Sequence, residues 1–312
     1  MRKNSLKRQL SIQNFILAII VNLVSLIYII NVQAMDPPKA DWLLTSAELA
    51  KIWKSPESGN LLVYRTNKDK YVILQSKRVA PLSKHDIDRI TKALKKGKDD
   101  VLYLGAVKAF TIVSNIPEEI SKLIELGQPK KITKEMLKES INAIKRWNEI
   151  ALAAIQAVGT DSPRPGEIGN LKNRADFDLL INYIIENFEK DPDLVSCSQE
   201  ILFYPFSVLS NLRVLIEKMA QKTKIPKDEV KNALKWWIHS LHTEAQVAIL
   251  GYAKPDFSIA NPISVASALN PCESCRTLKI IPNDSQKRDM GVFAWCLGDN
   301  TIVSDLPIGT VK

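Results

Sequence analysis

The chain has 312 residues, of which 46% are hydrophobic and 25% are charged; these proportions are typical of a folded globular protein and argue against intrinsic disorder. The formal net charge of +9 is uneven, because residues 1–34 contribute +4, residues 35–227 contribute +6 and residues 228–312 contribute −1. If a polyanion binds, residues 35–227 are therefore the expected binding region. Solvated lysine-rich helix faces explain the excess of positive charge there at least as well.

Residues 1–34 have the layout of a secretory signal peptide. Basic residues come first, an apolar run covers residues 15–30, and Val32 and Ala34 occupy the −3 and −1 positions of a cleavage site. We predict cleavage after Ala34 and an exported protein, periplasmic or secreted, without stable membrane association. The alternative is a retained signal anchor, although a membrane span needs about 20 apolar residues. Both alternatives place residues 35–312 outside the cytoplasm.

The next elements are predicted to form a small α/β region over residues 35–115. A short helix is expected over Thr45 to Lys54, and alternating residues from Asn60 to Gln75 predict a β-hairpin. Ser83 opens a helix with a capping box that runs to about Lys96. Residues Val101 to Ser114 are rich in β-branched and aromatic side chains, which predicts a strand.

Residues 116–227 are predicted to be mainly helical, because apolar residues recur there every three or four positions. Helices are expected over Pro117 to Leu126, Thr133 to Val158, Arg174 to Lys190, Phe206 to Lys222 and, just beyond, Lys227 to Ile238. The strongest break is residues 159–166, with two prolines and two glycines. The tryptophans of these helices, Trp147, Trp236 and Trp237, are predicted to lie in the core.

The residues with the clearest chemical potential lie between positions 240 and 275. His242 stands two residues before Glu244 at the start of an apolar helix. Cys272 and Cys275 are three apart and follow an Asn-Pro pair, which predicts that they lie on one face of the first turn of a helix. Such a helix start favours the thiolate, which is the form that binds zinc.

Two thiolates and one imidazole make three protein ligands, and a catalytic zinc site keeps its fourth position for water. Zn²⁺ is therefore the predicted cofactor. Glu244 is then predicted to take a proton from this water and to pass it to a leaving amine, which is general acid–base catalysis by one residue.

The order His242-x-Glu244 followed by Pro271-Cys272-x-x-Cys275 resembles the signature of the cytidine deaminase-like superfamily. The resemblance implies that His242, Cys272 and Cys275 are the metal ligands and that Glu244 is the catalytic proton shuttle. The resemblance covers about residues 240–297, under a fifth of the chain.

The fold class that follows is α/β, or α+β over the whole chain. A deaminase-like mixed sheet with flanking helices is expected in residues 228–312, with both motifs at helix starts, behind a mainly helical region. The intervening strand is expected within residues 257–265 and the next one within 291–297. The two strands that the family places before the His-x-Glu helix are expected at 61–80 or at 101–114, with a helical insertion between them and that helix.

The resemblance also implies the reaction, which is hydrolytic deamination of an amino-substituted nucleobase in a nucleic acid or a nucleoside. Divergent versions of this fold occur among bacterial toxins and effectors, and an exported chain suits that branch. The expected partners are a nucleobase-containing substrate and an immunity or host protein.

Two alternatives remain open at this stage. The four cysteines of an exported chain can form disulfides, with Cys197 paired to Cys296 and Cys272 paired to Cys275 or elsewhere. A non-enzymatic partner-binding protein is the second alternative. In that case His239 would join His242 in a closed structural zinc site that has no need of Glu244.

Overall fold

The structure is a computed structural model that describes residues 49, 60–76, 82–159, 167–203, 212–260, 265–268, 272–276, 278, 294–296 and 302–304. The predicted signal peptide, the helix predicted over Thr45 to Lys54 apart from the buried Leu49, and Pro271 lie outside these residues. Among the described helices, none combines the length and the apolar composition that a membrane crossing requires.

The described chain is an α+β protein in which helices predominate. The α-helices are α1 Lys84–Ala93, α2 Gly105–Ser114, α3 Glu118–Leu126, α4 Lys134–Val158, α5 Leu171–Asn187, α6 Pro192–Phe203, α7 Leu212–Thr223, α8 Lys227–Ser240, α9 Thr243–Ala253 and α10 Glu273–Arg276. The strands are β1 Leu61–Arg65, β2 Tyr71–Gln75, β3 Val101–Tyr103, β4 Val265–Ser267, β5 Ala294–Cys296 and β6 Ile302–Ser304. Short 3-10 helices cover Lys98–Asp100, Pro129–Lys131 and Pro255–Phe257.

A mixed sheet in the order β3-β2-β1-β4 joins distant parts of the chain. β1 pairs antiparallel with β2, with Leu61 opposite Gln75, and antiparallel with β4, with Leu62 opposite Ser267. β3 extends the sheet in parallel beside β2, and β5 and β6 form a separate antiparallel pair. Strands from the predicted regions 35–115 and 228–312 therefore share one sheet, while the division of the chain into four regions stays a prediction.

Several predicted elements are confirmed. The hairpin is formed by β1 and β2, as alternation predicted. Ser83 caps α1 by accepting a hydrogen bond from the Asp86 N–H at 3.1 Å, and Thr133 caps α4 by accepting one from the Met136 N–H at 3.2 Å. Short polar side chains at these positions satisfy N–H groups that a helix start leaves without partners.

The strand predicted over Val101 to Ser114 is wrong beyond Tyr103. Gly105 adopts a positive φ of 64° and ends the extended segment, and the following apolar residues form α2, whose Phe110 is fully buried. Short apolar runs fit a buried helix as well as a buried strand, so their composition does not separate the two.

Two further elements differ from the sequence prediction. Helix α6 lies over residues for which no helix was predicted. Helix α7 is described over Leu212–Thr223, and the start predicted at Phe206 lies outside the described residues. In the range 257–265, Phe257 ends a 3-10 helix, Ile259 forms an isolated antiparallel β-bridge with Thr66, and β4 covers Val265–Ser267, while residues 261–264 lie outside the described part. Proline at position 255 favours the turn over an extended strand.

The predicted tryptophan core is confirmed and it fixes α8. Trp147, Trp236 and Trp237 are at most 1% exposed. The Trp237 ring stacks on Phe177 with centroids 5.7 Å apart and meets Phe110 edge-on at 5.9 Å. Aromatic pairs in these geometries contribute about 0.5–1.5 kcal/mol beyond the area they bury. The end of α8, which precedes the candidate site, is therefore held by the core.

Candidate metal centre

The turn between α8 and α9 positions His242 at the site. α8 ends at Ser240, and His242 is the N-cap residue of α9. The Trp147 indole N–H donates to Ser240 Oγ at 3.0 Å, and the backbone N–H of His242 donates to the carbonyl of His239 at 3.1 Å. The backbone of both histidines is thus anchored to the core.

Gln246 fixes the first turn of α9. Its fully buried side chain donates from Nε2 to the carbonyl of Leu241 at 2.8 Å and to the carbonyl of Gln75 at 3.2 Å. The second of these bonds ties the helix start to the last residue of β2. The sheet therefore positions the helix that carries His242 and Glu244.

The two cysteines are held by α10, a single helical turn. The N–H of Cys275 donates to Cys272 Sγ at 3.4 Å, as expected for a side chain that caps a helix start. Ser274, which lies between them, accepts a hydrogen bond at Oγ from the N–H of Ile168 at 2.8 Å. The cysteines are thereby fixed against the segment that precedes α5.

The structure brings the three predicted ligands together. His242 Nδ1 lies 3.5 Å from Cys272 Sγ and 3.5 Å from Cys275 Sγ. Tetrahedral zinc with Zn–S bonds of about 2.3 Å and Zn–N bonds of about 2.0 Å would separate sulfur from nitrogen by about 3.5 Å. The donor set and its spacing therefore fit zinc, with Nδ1 as the ligand atom of His242.

The thiols differ in pKa. The pKa of Cys272 lies far below its usual value, first because of its hydrogen bond with Cys275 and further because of His239 and His242, while burial opposes the shift. The pKa of Cys275 is raised well above its usual value by the hydrogen bond with Cys272 and by burial. A metal ion binds cysteine sulfur as thiolate, so metal binding at this pair would release protons.

Glu244 lies beside the ligands in a buried polar network. Its carboxyl is 3% exposed, and one of its oxygens lies within 4.8 Å of the ligand atoms of His242 and Cys275. Thr243 Oγ1 donates to Glu244 Oε2 at 3.0 Å, and Asn60 Nδ2 donates to Glu244 Oε1 at 3.1 Å. Burial raises the pKa of Glu244 because the charged form loses its hydration, and the neighbouring His242 opposes this effect.

Asn60 is a residue of the site that the sequence reasoning missed. Its Nδ2 also lies 2.7 Å from Ser267 Oγ and 3.0 Å from Thr243 Oγ1, so two N–H bonds are shared among three oxygens. Asn60 connects the start of β1, the start of α9 and the end of β4. Asn60 is 184 residues from Glu244, and only the strand pairing brings the two together.

The cysteines considered for disulfides are free thiols in the described part of the chain. Cys197 is a buried free thiol, and burial raises its pKa to about 11. The side chain of Cys296, its predicted disulfide partner, lies outside the described residues. Cys272 and Cys275 are also free thiols.

The chain was compared with protein-family models, with curated proteins and with solved structures, and none of them matches it significantly.

Proposed function

We propose that the chain is an exported zinc-dependent deaminase that acts hydrolytically on an amino-substituted nucleobase. The observation that carries this proposal is the placement of His242 Nδ1 at 3.5 Å from two cysteine sulfurs, with the buried Glu244 carboxyl beside them. Three protein ligands and an adjacent carboxyl that acts as acid and base are the parts that this chemistry requires.

The architecture around the site supports the proposal. His242 caps α9 and Cys272 directly precedes α10, so both motifs lie at helix starts, as the resemblance to the cytidine deaminase-like superfamily implied. β1 pairs antiparallel with β2 and with β4, and β4 directly precedes the cysteine motif. The helices from α1 to α8 occupy the position of the expected insertion between the first hairpin and the His-x-Glu helix.

The proposed chemistry moves two protons through Glu244. A zinc ion held by the three ligands would lower the pKa of water toward about 7. The Glu244 carboxylate accepts a proton as the water oxygen bonds to the ring carbon that carries the amino group. The carboxyl passes this proton to the ring nitrogen. It then takes the second proton from the hydroxyl of the adduct and gives it to the leaving amine, so that breakage of the C–N bond leaves a carbonyl and ammonia. Asn60 and Thr243 hold the carboxyl through both of its oxygens.

The substrate class follows from the resemblance and from charge. The +6 charge of residues 35–227 favours a polyanionic substrate, which places nucleic acid ahead of a free nucleoside. Action outside the producing cell suits a toxin or effector, and an immunity or host protein is the expected partner.

The test is metal content followed by base conversion. Full-length protein and Cys272→Ser are loaded with zinc under reducing conditions, and Cys197→Ser serves as the matched thiol control. One zinc per chain is expected in the wild type and in Cys197→Ser, and none in Cys272→Ser. The loaded protein is then incubated with single-stranded DNA, RNA and nucleosides, with Glu244→Gln as the inactive variant.

Base conversion that is lost in Glu244→Gln, with zinc retained, supports the enzyme. Zinc retained without conversion of any substrate contradicts the deaminase and favours a structural zinc site in a partner-binding protein. Absence of zinc from the wild type contradicts both.

A further inference from the structure

His239 lies beside the metal centre with a nitrogen that has no hydrogen-bond partner. It occupies the last turn of α8, and its Nδ1 is buried and unpaired. Most buried polar atoms in proteins have a partner. The ligand atoms of His239, His242 and Cys272 all lie within 4.8 Å of one another, and the two imidazole rings meet edge-on with centroids 4.8 Å apart. Binding of the same cation through Nδ1 would satisfy this nitrogen.

The side chain of His239 is within reach of this role. Ligand atoms around tetrahedral zinc lie about 3.4–3.8 Å apart, so the imidazole has to move by no more than about 1.4 Å. The ring is partly exposed, which leaves room for rotation, whereas the backbone is fixed through its hydrogen bond to His242.

We propose that His239 is a fourth protein ligand of the metal centre, which closes the centre at rest and is released when substrate and water enter. The inference rests on the metal centre of the proposed function. Two thiolates and two imidazoles complete a tetrahedral set and leave no position for water. The closed state agrees with the burial of Glu244, which is 3% exposed. His239 then governs access to the same site in which Glu244 acts.

X-ray absorption at the zinc edge counts the ligands directly and needs no turnover. Full-length wild type loaded with one zinc is expected to show two sulfur and two imidazole ligands. His239→Ala is expected to show two sulfurs, one imidazole and one oxygen. His85→Ala is the matched control, because His85 is an exposed histidine on α1, and it should keep two imidazoles. The wild-type spectrum alone decides the imidazole count if His239→Ala does not fold.

Base conversion measured in parallel separates this inference from the proposed function. A single imidazole ligand in the wild type, or the same number of imidazole ligands in wild type and His239→Ala, overturns the role of His239. If the wild type nevertheless converts a base, the proposed function stands. Two imidazoles that fall to one in His239→Ala support the role. If neither protein then converts any base, the ligand assignment stands and the proposed function fails.

Discussion

Asn60 provides the sharpest test of the buried network around Glu244. Asn60→Ala removes the two N–H donors of Nδ2, which are shared by the buried oxygens Glu244 Oε1, Ser267 Oγ and Thr243 Oγ1. Each buried group left without its partner costs about 1–3 kcal/mol. We therefore expect a fall of about 2–4 kcal/mol in the free energy of unfolding. The backbone bond from the Asn60 N–H to Ser76 Oγ is unaffected, so the loss reports on the side chain.

The loss should also depend on pH in a defined direction. The amide donor stabilises the ionised carboxylate more than the neutral carboxyl, because hydrogen bonds to charged groups are stronger. Burial raises the pKa of Glu244, so the carboxylate forms only above the usual range of a glutamate. The cost of Asn60→Ala is therefore expected to increase as pH rises through that pKa.

The assay is urea unfolding of metal-free, reduced protein at pH 5 and pH 8, followed by tryptophan fluorescence. Asn67→Ala is the control, since Asn67 is an exposed residue in the turn of the same hairpin and should change stability by less than about 0.5 kcal/mol. Equal stabilities of the two variants at both pH values would refute the reasoning about the network.

Three further predictions concern Glu244, the thiols and the core. In metal-free protein, the raised pKa of Glu244 means that the unfolded state loses its proton first, so wild-type stability falls as pH rises from about 4.3 through the folded pKa. Glu244→Gln lacks this loss, so its melting temperature should exceed that of the wild type by a margin that grows between pH 4 and pH 8, and a constant margin in scanning fluorimetry would be contrary evidence. Iodoacetamide at pH 6 should modify Cys272 well before Cys197 in metal-free protein. Cys272 is partly exposed and its pKa is strongly lowered, whereas burial raises the pKa of Cys197 to about 11. Equal rates of modification in peptide mass mapping would contradict this prediction. Trp237→Phe removes the indole N–H that donates to the Ile201 carbonyl at 3.1 Å and part of a buried ring, so urea unfolding should show a loss of about 2–3 kcal/mol, and a loss below about 0.5 kcal/mol would contradict the packing described here.

Local signals in the sequence predicted the elements that depend on local chemistry. Ser83 and Thr133 cap helices because their side chains reach N–H groups two or three residues away, and this distance is fixed by sequence. The grouping of His242 with Cys272 and Cys275 was also predictable, since each motif carries its own helix-start signal.

Contacts across the sheet could not be predicted from the sequence. Asn60 has no motif that marks it as a partner of Glu244. The pairing of β1 with β4 brings the two residues together, and the sequence of neither strand predicts this pairing. Nor does composition separate the strand β3 from the helix α2, because a short apolar run is compatible with both. The unpaired Nδ1 of His239 is visible only once neighbouring helices are in place.

The pairing of β1 with β4 sets when the metal centre can form during synthesis. Asn60 and Ser267 are 207 residues apart, so the sheet closes only after most of the chain has left the ribosome. The contacts within the helical segment between them are closer in sequence and can form earlier. Both cysteines and β4 come after that segment, so a nascent or truncated chain that stops before residue 265 has a helical core but no metal centre. The candidate metal site is thus expected to form only after residue 275 has been synthesised, later than the helical core.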